Sequence, residues 1–355
     1  MNKYFDRIQK LKPLMDEAGI EAFYINNVPN VAYFTGTKGD DLALYITKTK
    51  AYIITDFRYR EMASALSGWL TYVETTNSYK TIDFIKEQSE KLIGIEKNYL
   101  PLTDYLEFTT ISGKEFKPVE ELVESLREVK DEEEIEYTKR ACEIACNAFD
   151  YMLTVIKPGM TELQLAAELE YFMRRNGAEG TSFDTILVTG PKTSLPHGVP
   201  GNEYVQEGSF VLMDYGCKYK GYCSDMTRTV AVGKPSQKMI DIYNIVLEAQ
   251  MACCNQIKAG IIGADAHKIA SDIIEKAGYG EYFGHGLGHG TGLEIHESPR
   301  YSPAWKKAIK ENTIVSIEPG IYLPGEFGVR IEDLALVTKN GIINFVTAPK
   351  ELLII

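Results

Sequence analysis

The sequence predicts an α/β domain over residues 1–125, followed by an α+β domain over residues 126–355 that contains two similar halves. Three observations support this division. Short apolar strands alternate with helices in the first third of the chain, and an acid-rich helix start follows the segment 118–130. Beyond it, a helix pair followed by a strand hairpin occurs twice. A chain of 355 residues is long enough to bury more than one core.

The first domain alternates two kinds of element. Its strand candidates are short apolar runs rich in β-branched and aromatic residues, and they begin at Ala22, Leu42, Ala51 and Leu92. Helices are predicted near residues 3–18, 58–67, 79–90 and 101–110. Such alternation is typical of an α/β domain.

The second domain opens with a helix and then repeats itself. Acids from Asp131 onward favour a helix start because they interact well with the positive end of the helix dipole. The motif Ile-Lys-x-Gly ends one helix at Gly159 and another at Gly260, an offset of 101 residues. A second helix, a histidine-bearing loop and a hairpin with two acids follow in each case. We infer two halves related by a pseudo-two-fold axis.

Composition excludes several classes of function. Apolar residues make up 45% and charged residues 25%, as in ordinary soluble proteins. With a net charge of −12 and no basic cluster, nucleic acid is not an expected partner. No apolar stretch is long enough to span a membrane, and the start reads as an amphipathic helix rather than a signal peptide. We therefore expect a cytoplasmic protein whose six cysteines are free thiols.

Four carboxylates lie in two predicted hairpins. A turn near Tyr219 and Lys220 would place Asp214 opposite Asp225, and a turn at Gly325 would place Glu318 opposite Glu332. Directly opposed residues have Cβ atoms roughly 5 Å apart. Like charges at that distance repel, and burying them unpaired costs several kcal/mol per ion. Although one such pair is usually a solvated strand face, two pairs predict a bound cation.

The histidines are concentrated in glycine-rich and proline-rich loops. His285, His289 and His296 lie within twelve residues, among several glycines, and His197 lies in the loop Leu-Pro-His-Gly-Val-Pro-Gly. A lone loop histidine is normally an unremarkable surface residue. Four of the five histidines in such loops, beside a carboxylate cluster, favour a site instead. The fifth, His267, is predicted to be a surface residue of a helix.

These segments resemble the pita-bread dinuclear metallopeptidases, the family of methionine aminopeptidase, aminopeptidase P and prolidase. The resemblance rests on Met-Asp214-Tyr-Gly, Ser-Asp225-Met-Thr-Arg, Gly-His285-Gly-Leu-Gly-His289-Gly, Ile-His296-Glu, Ser-Ile-Glu318-Pro-Gly and Val-Arg330-Ile-Glu332-Asp. It implies a creatinase/prolidase-like N-terminal domain and a pita-bread catalytic domain. The implied ligands of two divalent ions are Asp214, Asp225, His289, Glu318 and Glu332.

The branch of the family follows from spacing. The two glutamates are only fourteen residues apart, and Arg330 precedes the second by two. Both features are similar to the Xaa-Pro peptidases, namely prolidase (Xaa-Pro dipeptidase) and aminopeptidase P. Creatinase shares the fold but lacks the ligands that this chain keeps.

The resemblance also implies residue roles. A water shared by the metals would attack the peptide bond preceding proline, and Glu318 would bind a metal and shuttle the proton. His296 would donate to the oxyanion, while His285 and His197 would line the cleft near the substrate. Arg300 either holds a dipeptide's carboxylate or is an exposed loop cation, and Arg330 either does similar work or braces a ligand.

Several expectations accompany this assignment. Mn²⁺ is the expected metal, with Co²⁺, Fe²⁺ and Zn²⁺ left open. The expected partner is a small peptide with proline at its second position, and a homodimer is expected from the family alone. Two alternatives stay open: another hydrolase or lyase reaction on the same site without proline selectivity, and a non-catalytic binding homologue.

Overall fold

The computed structural model describes residues 2–355. The chain divides into two compact units, and the boundary between them in the sequence lies between Arg127 and Glu128. The division predicted from the sequence, after residue 125, lies two residues earlier. Each unit has its own core and is described separately below.

The first unit is built on a mixed sheet. Within residues 2–127 the sheet has six strands in the order β4-β3-β2-β1-β5-β6. Strands β1, β2 and β3 are antiparallel neighbours, whereas β4, β5 and β6 each join in parallel. The strands are β1 (Ala22–Ile25), β2 (Ala43–Thr47), β3 (Ala51–Thr55), β4 (Thr71–Glu74), β5 (Leu92–Glu96) and β6 (Glu115–Val119). The helices are α1 (Lys3–Glu17), α2 (Val28–Thr35), α3 (Arg60–Ala65), α4 (Thr81–Glu87), α5 (Leu102–Phe108) and α6 (Leu122–Arg127).

The predicted elements of this unit are present, but four others were missed. Helix α2 buries six of its eight residues, so it lacks the amphipathic period that marks a surface helix. Strands β4 and β6 are the two edges of the sheet, and Pro118 lies in β6, as an edge strand permits. Helix α6 is too short for a periodic signal.

The second unit contains two helix pairs and several antiparallel sheets. Helix α7 begins after Asp131, whose side chain accepts a hydrogen bond from the Glu134 backbone N–H in a capping box. The helices are α7 (Glu132–Val155), α8 (Glu162–Arg175), α9 (Gln237–Gln256) and α10 (Gly263–Lys276). The strands are β7 (Gly180–Thr181), β8 (Ile186–Thr189), β9 (Ser209–Tyr215), β10 (Cys217–Tyr219), β11 (Tyr222–Cys223), β12 (Met226–Val232), β13 (Gly288–Gly290), β14 (Glu297–Tyr301), β15 (Ile314–Ile317), β16 (Gly320–Leu323), β17 (Phe327–Arg330), β18 (Asp333–Thr338) and β19 (Gly341–Asn344).

Two sheets of this unit carry the functional hairpins. Within residues 128–355, one sheet has the order β12-β9-β8 and another has the order β14-β13-β15-β18-β19. Helices α7 and α8 contribute to a core with β9 and β12, and α9 and α10 contribute to a second core with β15 and β17. Each helix pair therefore covers the hairpin of its own half.

The internal repeat is confirmed by matching backbone geometry. Gly159 and Gly260 have φ of 88° and 91°. Each donates its N–H to a later backbone carbonyl, that of Val205 at 3.0 Å and that of Ile309 at 2.8 Å. The start of the second helix then forms an isolated bridge in both halves. The two halves thus use the same helix–turn–helix connection.

One predicted register is wrong and the other is confirmed. The first hairpin turns at Lys220 and Gly221, which have φ of 50° and 89°, so Asp214 lies opposite Thr227 rather than Asp225. A two-residue turn with positive φ at both positions matches the right-handed twist of the flanking strands, so this turn is favoured over the predicted one. In the second hairpin, Ile317 pairs with Asp333 and Gly320 with Arg330, so Glu318 lies opposite Glu332.

Two features of residues 2–355 belong to neither unit alone, namely the state of the cysteines and the apolarity of the helices. The six cysteines lie within residues 2–355 and form no disulfide there, and five of them are buried. None of the helices in that range combines the length and apolarity that crossing a lipid bilayer requires.

The repeat generates a stability prediction. Replacing Gly159 or Gly260 by alanine introduces a Cβ at positive φ in open space, so the cost is backbone strain of about 1–2 kcal/mol. Both variants should lose similar free energy of unfolding in urea titrations. Gly341→Ala is the control, since Gly341 is equally uncrowded without positive φ. A large difference between the first two variants would contradict the equivalence of the halves.

Candidate metal centre

The five predicted ligands come from both halves of the second unit. Asp214 lies in β9, Asp225 directly precedes β12, His289 lies in β13, Glu318 follows β15 and Glu332 precedes β18. Four of them are buried, and Glu332 is only 2% exposed. Side chains that are more than 100 residues apart in sequence therefore share one apolar environment.

Three ligand atoms lie close enough to hold one cation. Single donor atoms of Asp225, His289 and Glu332 all lie within 4.8 Å of one another. His289 Nε2 lies 3.5 Å from Asp225 Oδ2 and 3.3 Å from Glu318 Oε1. Carboxylate oxygens and an imidazole nitrogen are the donors that divalent Mn, Fe, Co and Zn accept.

The tautomer of His289 supports this reading. Its Nδ1 lies 3.1 Å from the Gly290 carbonyl oxygen, which can only accept a hydrogen bond. With Nδ1 donating to Gly290, Nε2 is the ring atom that faces Asp225 and Glu318, where it binds a cation through its lone pair or carries a proton when no cation is bound. Acceptors that face one another in this way need a cation or a proton between them.

Asp214 supplies a second sign that a cation fits. Arg330 donates a hydrogen bond to its Oδ2, but its Oδ1 is buried and has no hydrogen-bond partner among residues 2–355. Buried carboxylate oxygens are rarely left unsatisfied. Asp214 lines the same cavity as the other ligands, so the residues present fit a bound cation.

Burial and mutual repulsion set the charge of the cluster. Burial raises the pKa of Asp225 and of Glu332 well above the ordinary values, and the neighbouring carboxylates raise both further. Burial also raises the pKa of Asp214, although Arg330 opposes it. Burial acts the same way on Glu318, but the hydrogen bond and charge of His289 outweigh it and lower the pKa to about 2. Without cations, therefore, burial and mutual repulsion oppose the ionisation of Asp214, Asp225 and Glu332.

Hydroxyl groups orient the two glutamates. Thr227 Oγ1 donates to Glu332 Oε2 at 2.6 Å. Ser316 Oγ donates to Glu318 Oε1 at 2.9 Å and accepts the His289 backbone N–H at 3.0 Å. Sequence reasoning missed both hydroxyls. A signal was available, because Thr227 and Ser316 lie two residues from Asp225 and Glu318, and alternate residues of a strand share a face.

A cavity of about 1450 Å³ opens onto the ligands. Its wall brings together the predicted site residues of every role, namely Asp214, Asp225, His289, Glu318, Glu332, His197, His285, His296, Arg300 and Arg330. Burial, followed by the charges of His289 and Arg300, lowers the pKa of His296 to about 4, so this imidazole is neutral at pH 7. The cavity thus combines an acidic cluster with the neutral imidazole of His296.

The two arginines differ in their environment. Arg330 is 2% exposed and donates to Asp214, to Tyr322 Oη at 2.8 Å and to Thr227 Oγ1 at 3.1 Å. These contacts favour the bracing alternative over a substrate contact. Arg300 lies opposite His289 in the β13–β14 ladder, and its guanidinium has no hydrogen-bonding or ion-pair partner among residues 2–355.

His285 and His267 are linked through an aromatic ring. His285 Nδ1 lies 2.8 Å from the Gly286 carbonyl oxygen, and its Nε2 lies 2.9 Å from Tyr322 Oη. The ring of Phe283 contacts His285 edge-on and stacks on His267 at 5.3 Å. His267 is therefore half-buried behind the cavity wall, and the prediction of a surface residue is wrong.

Comparison with known proteins gives two family matches and several close relatives. The Creatinase/Prolidase N-terminal domain matches residues 7–129, and metallopeptidase family M24 matches residues 136–339. The Xaa-Pro dipeptidase of Pyrococcus furiosus is 38% identical over 368 residues, which cover 98% of this chain and 99% of that protein.

Solved structures agree in fold over the full length. The Xaa-Pro dipeptidase from Bacillus anthracis superposes with a TM-score of 0.96 at 42% identity, covering 99% of this chain and all of that one. The X-Pro aminopeptidase from Thermotoga maritima gives a TM-score of 0.89 at 36% identity, covering 98% and 100%. These matches confirm the creatinase-like N-terminal domain and the pita-bread domain. The chain belongs to metallopeptidase family M24.

Proposed function

We propose that the protein hydrolyses the peptide bond that precedes proline in short peptides with proline at the second position. The observation that carries this proposal is the set of four carboxylates and His289 Nε2 in the wall of one cavity. The relatives named Xaa-Pro dipeptidase and X-Pro aminopeptidase support the choice of substrate.

The donor set determines which metals fit. Asp214, Asp225, His289, Glu318 and Glu332 would hold two divalent ions, and Mn²⁺ is proposed because oxygen donors dominate, with Co²⁺, Fe²⁺ and Zn²⁺ as alternatives. When bound, such ions polarise a carbonyl and lower the pKa of water. A homodimer and a cytoplasmic location stay predictions.

Glu318 is the proposed proton carrier. Its Oε1 is engaged by Ser316 and faces His289, which leaves Oε2 to accept the proton of the attacking water. The same oxygen can then deliver that proton to the nitrogen of the leaving proline. One carboxylate beside the scissile bond is enough for both steps.

The histidines are proposed to recognise the reacting group. His296 is exposed in the cavity and neutral, so it can donate an N–H to the oxyanion that develops during attack. Both ring nitrogens of His285 are engaged by Gly286 and Tyr322, so we propose that His285 contacts the substrate through its ring. His197 is proposed to line the opposite side of the cleft.

Chelation and metal restoration test the reaction itself. Treatment with a chelator should abolish hydrolysis of Ala-Pro and Ala-Pro-Ala, and added Mn²⁺ or Co²⁺ should restore it, because the acidic cluster needs the cations. Restored cleavage of the dipeptide alone would indicate a dipeptidase, and preference for the tripeptide would indicate an aminopeptidase. Cleavage of neither peptide by protein with two bound metals would refute the proposed substrate class.

Replacing Glu318 by glutamine tests the proton carrier. Glutamine keeps the shape but accepts no proton, so kcat should fall by about 10²–10⁴-fold, with the circular dichroism spectrum unchanged. Glu326→Gln is a matched control on the same hairpin, because Glu326 is exposed and pairs with Lys238. Undiminished turnover in the Glu318 variant would remove it from this role.

Replacing Arg300 by methionine tests substrate length. If the guanidinium binds the free carboxylate of a dipeptide, its loss should raise KM for Ala-Pro by about 10–100-fold, the equivalent of a charged hydrogen bond. The KM for Ala-Pro-Ala should change less, since its carboxylate lies one residue further away. Equal effects on both peptides would show that Arg300 does not read the carboxylate.

A further inference from the structure

The metal ligands sit at a joint between two separate sheets. Asp225 directly precedes β12 of the three-stranded sheet, and Glu332 directly precedes β18 of the five-stranded sheet. Among residues 2–355, the backbones of β12 and β18 meet in one isolated bridge, in which the Glu332 N–H donates to the Thr227 carbonyl at 3.1 Å. A single bridge does not fix the spacing of two hairpins as a continuous ladder would.

Arg228 adds side-chain hydrogen bonds across this joint to the single backbone bridge. It is buried, 1% exposed, and all five of its N–H groups have acceptors. Nη1 donates to the carbonyl oxygens of Thr227 at 2.9 Å and of Glu332 at 2.6 Å. The remaining donors bind Asp333 Oδ1 at 2.8 Å, the Ala348 carbonyl at 2.8 Å and the Pro349 carbonyl at 2.8 Å.

One end of this guanidinium therefore ties the ligand-bearing segments of both halves. Nη1 links a carbonyl of β12 to the carbonyl of Glu332 itself. Since Thr227 Oγ1 also donates to the Glu332 carboxylate, the backbone and side chain of this ligand are both held from β12. Together with the bond from the Glu332 N–H to the Thr227 carbonyl, these contacts tie Glu332 to the strand that directly follows Asp225.

The other end of Arg228 is held by a closed polar network. Asp333 is fully buried, and its second oxygen accepts hydrogen bonds from Gln250 at 2.8 Å and Asn344 at 2.7 Å and pairs with Lys350. The Tyr243 hydroxyl donates to the Lys350 carbonyl at 2.7 Å. Segment 348–350 is thus hydrogen-bonded to helix α9, and two of its carbonyl oxygens accept hydrogen bonds from Arg228.

We propose that Arg228 is a positioning residue for the metal pair. By bridging the two halves it sets the distance between Asp225 and Glu332, and the carbonyls of Ala348 and Pro349 hold its other end. The inference rests on the proposed metal site but not on the proposed substrate. The two carbonyls of Ala348 and Pro349 that hold Arg228 lie beyond the matched family region, which ends at residue 339.

Lysine cannot replace this arginine. An ammonium group has three donors around one point, whereas Arg228 serves five acceptors that lie on both sides of a planar fork. The lysine variant keeps the charge beside Asp333 but leaves the Glu332 carbonyl without its partner. Loss of a residue that orients a metal ligand commonly weakens metal binding by about 10–100-fold.

The test compares Mn²⁺ affinity by isothermal titration calorimetry for wild type, Arg228→Lys and Lys350→Met, all stripped of metal. Lys350→Met removes the other cation of Asp333 but leaves the Arg228 contacts to Thr227 and Glu332 in place. Both variants should unfold at lower urea concentration than wild type. Only Arg228→Lys should show weaker metal binding. Its dissociation constant for the more weakly bound of the two Mn²⁺ ions should rise about 10-fold or more.

Each outcome decides between the proposals. Metal affinity in Arg228→Lys within about 3-fold of wild type, or an equal loss in both variants, would overturn the positioning role. A wild-type protein that binds no Mn²⁺ would instead refute the proposed metal site. Should Arg228→Lys fail to fold, Asp333→Asn loosens one contact of Arg228, and unchanged affinity in that variant would overturn the inference too.

Discussion

The close approach of four carboxylates, three of them buried, is the constraint on which the second unit depends. Asp214, Asp225 and Glu332 are buried beside the partly exposed Glu318, and burial raises the pKa of each of these three above its ordinary value. The fold tolerates this because the hairpins, not the cluster, supply the stabilising contacts. Two helix pairs bury the outer faces of those hairpins in separate cores. The side chains between the hairpins are therefore available for binding and catalysis.

Positive charge is distributed around the joint in a specific way. Arg330 offsets Asp214 on the cavity side, and Arg228 offsets Asp333 behind it. Asp225, Glu318 and Glu332 have no arginine or lysine ion-pair partner among residues 2–355. The charge that remains is therefore concentrated on the side chains that face His289 Nε2, a donor set that suits a divalent ion.

The internal repeat explains how such a joint forms. Each half contributes a hairpin at a similar distance along the chain from its Gly-containing helix connection. The two hairpins meet through hydroxyl and guanidinium groups rather than a continuous ladder. The halves then diverge, since His289 and His296 come from the second half, whereas His197 comes from the first. A symmetrical framework thus holds an asymmetrical cavity, which an unsymmetrical substrate such as a peptide requires.

The sequence by itself determined the family, the α/β character of the first unit and the repeat, and it predicted the candidate ligand set, because each depends on local pattern and spacing. It also predicted the Glu318–Glu332 pairing, since the two strands flank one short turn. Tertiary structure alone decided the opposite partner of Asp214, the bracing role of Arg330, the half-buried position of His267 and the contacts of Arg228 and Tyr322. These depend on turn geometry and on side chains that meet across more than 100 residues of chain, and no local pattern encodes such distances.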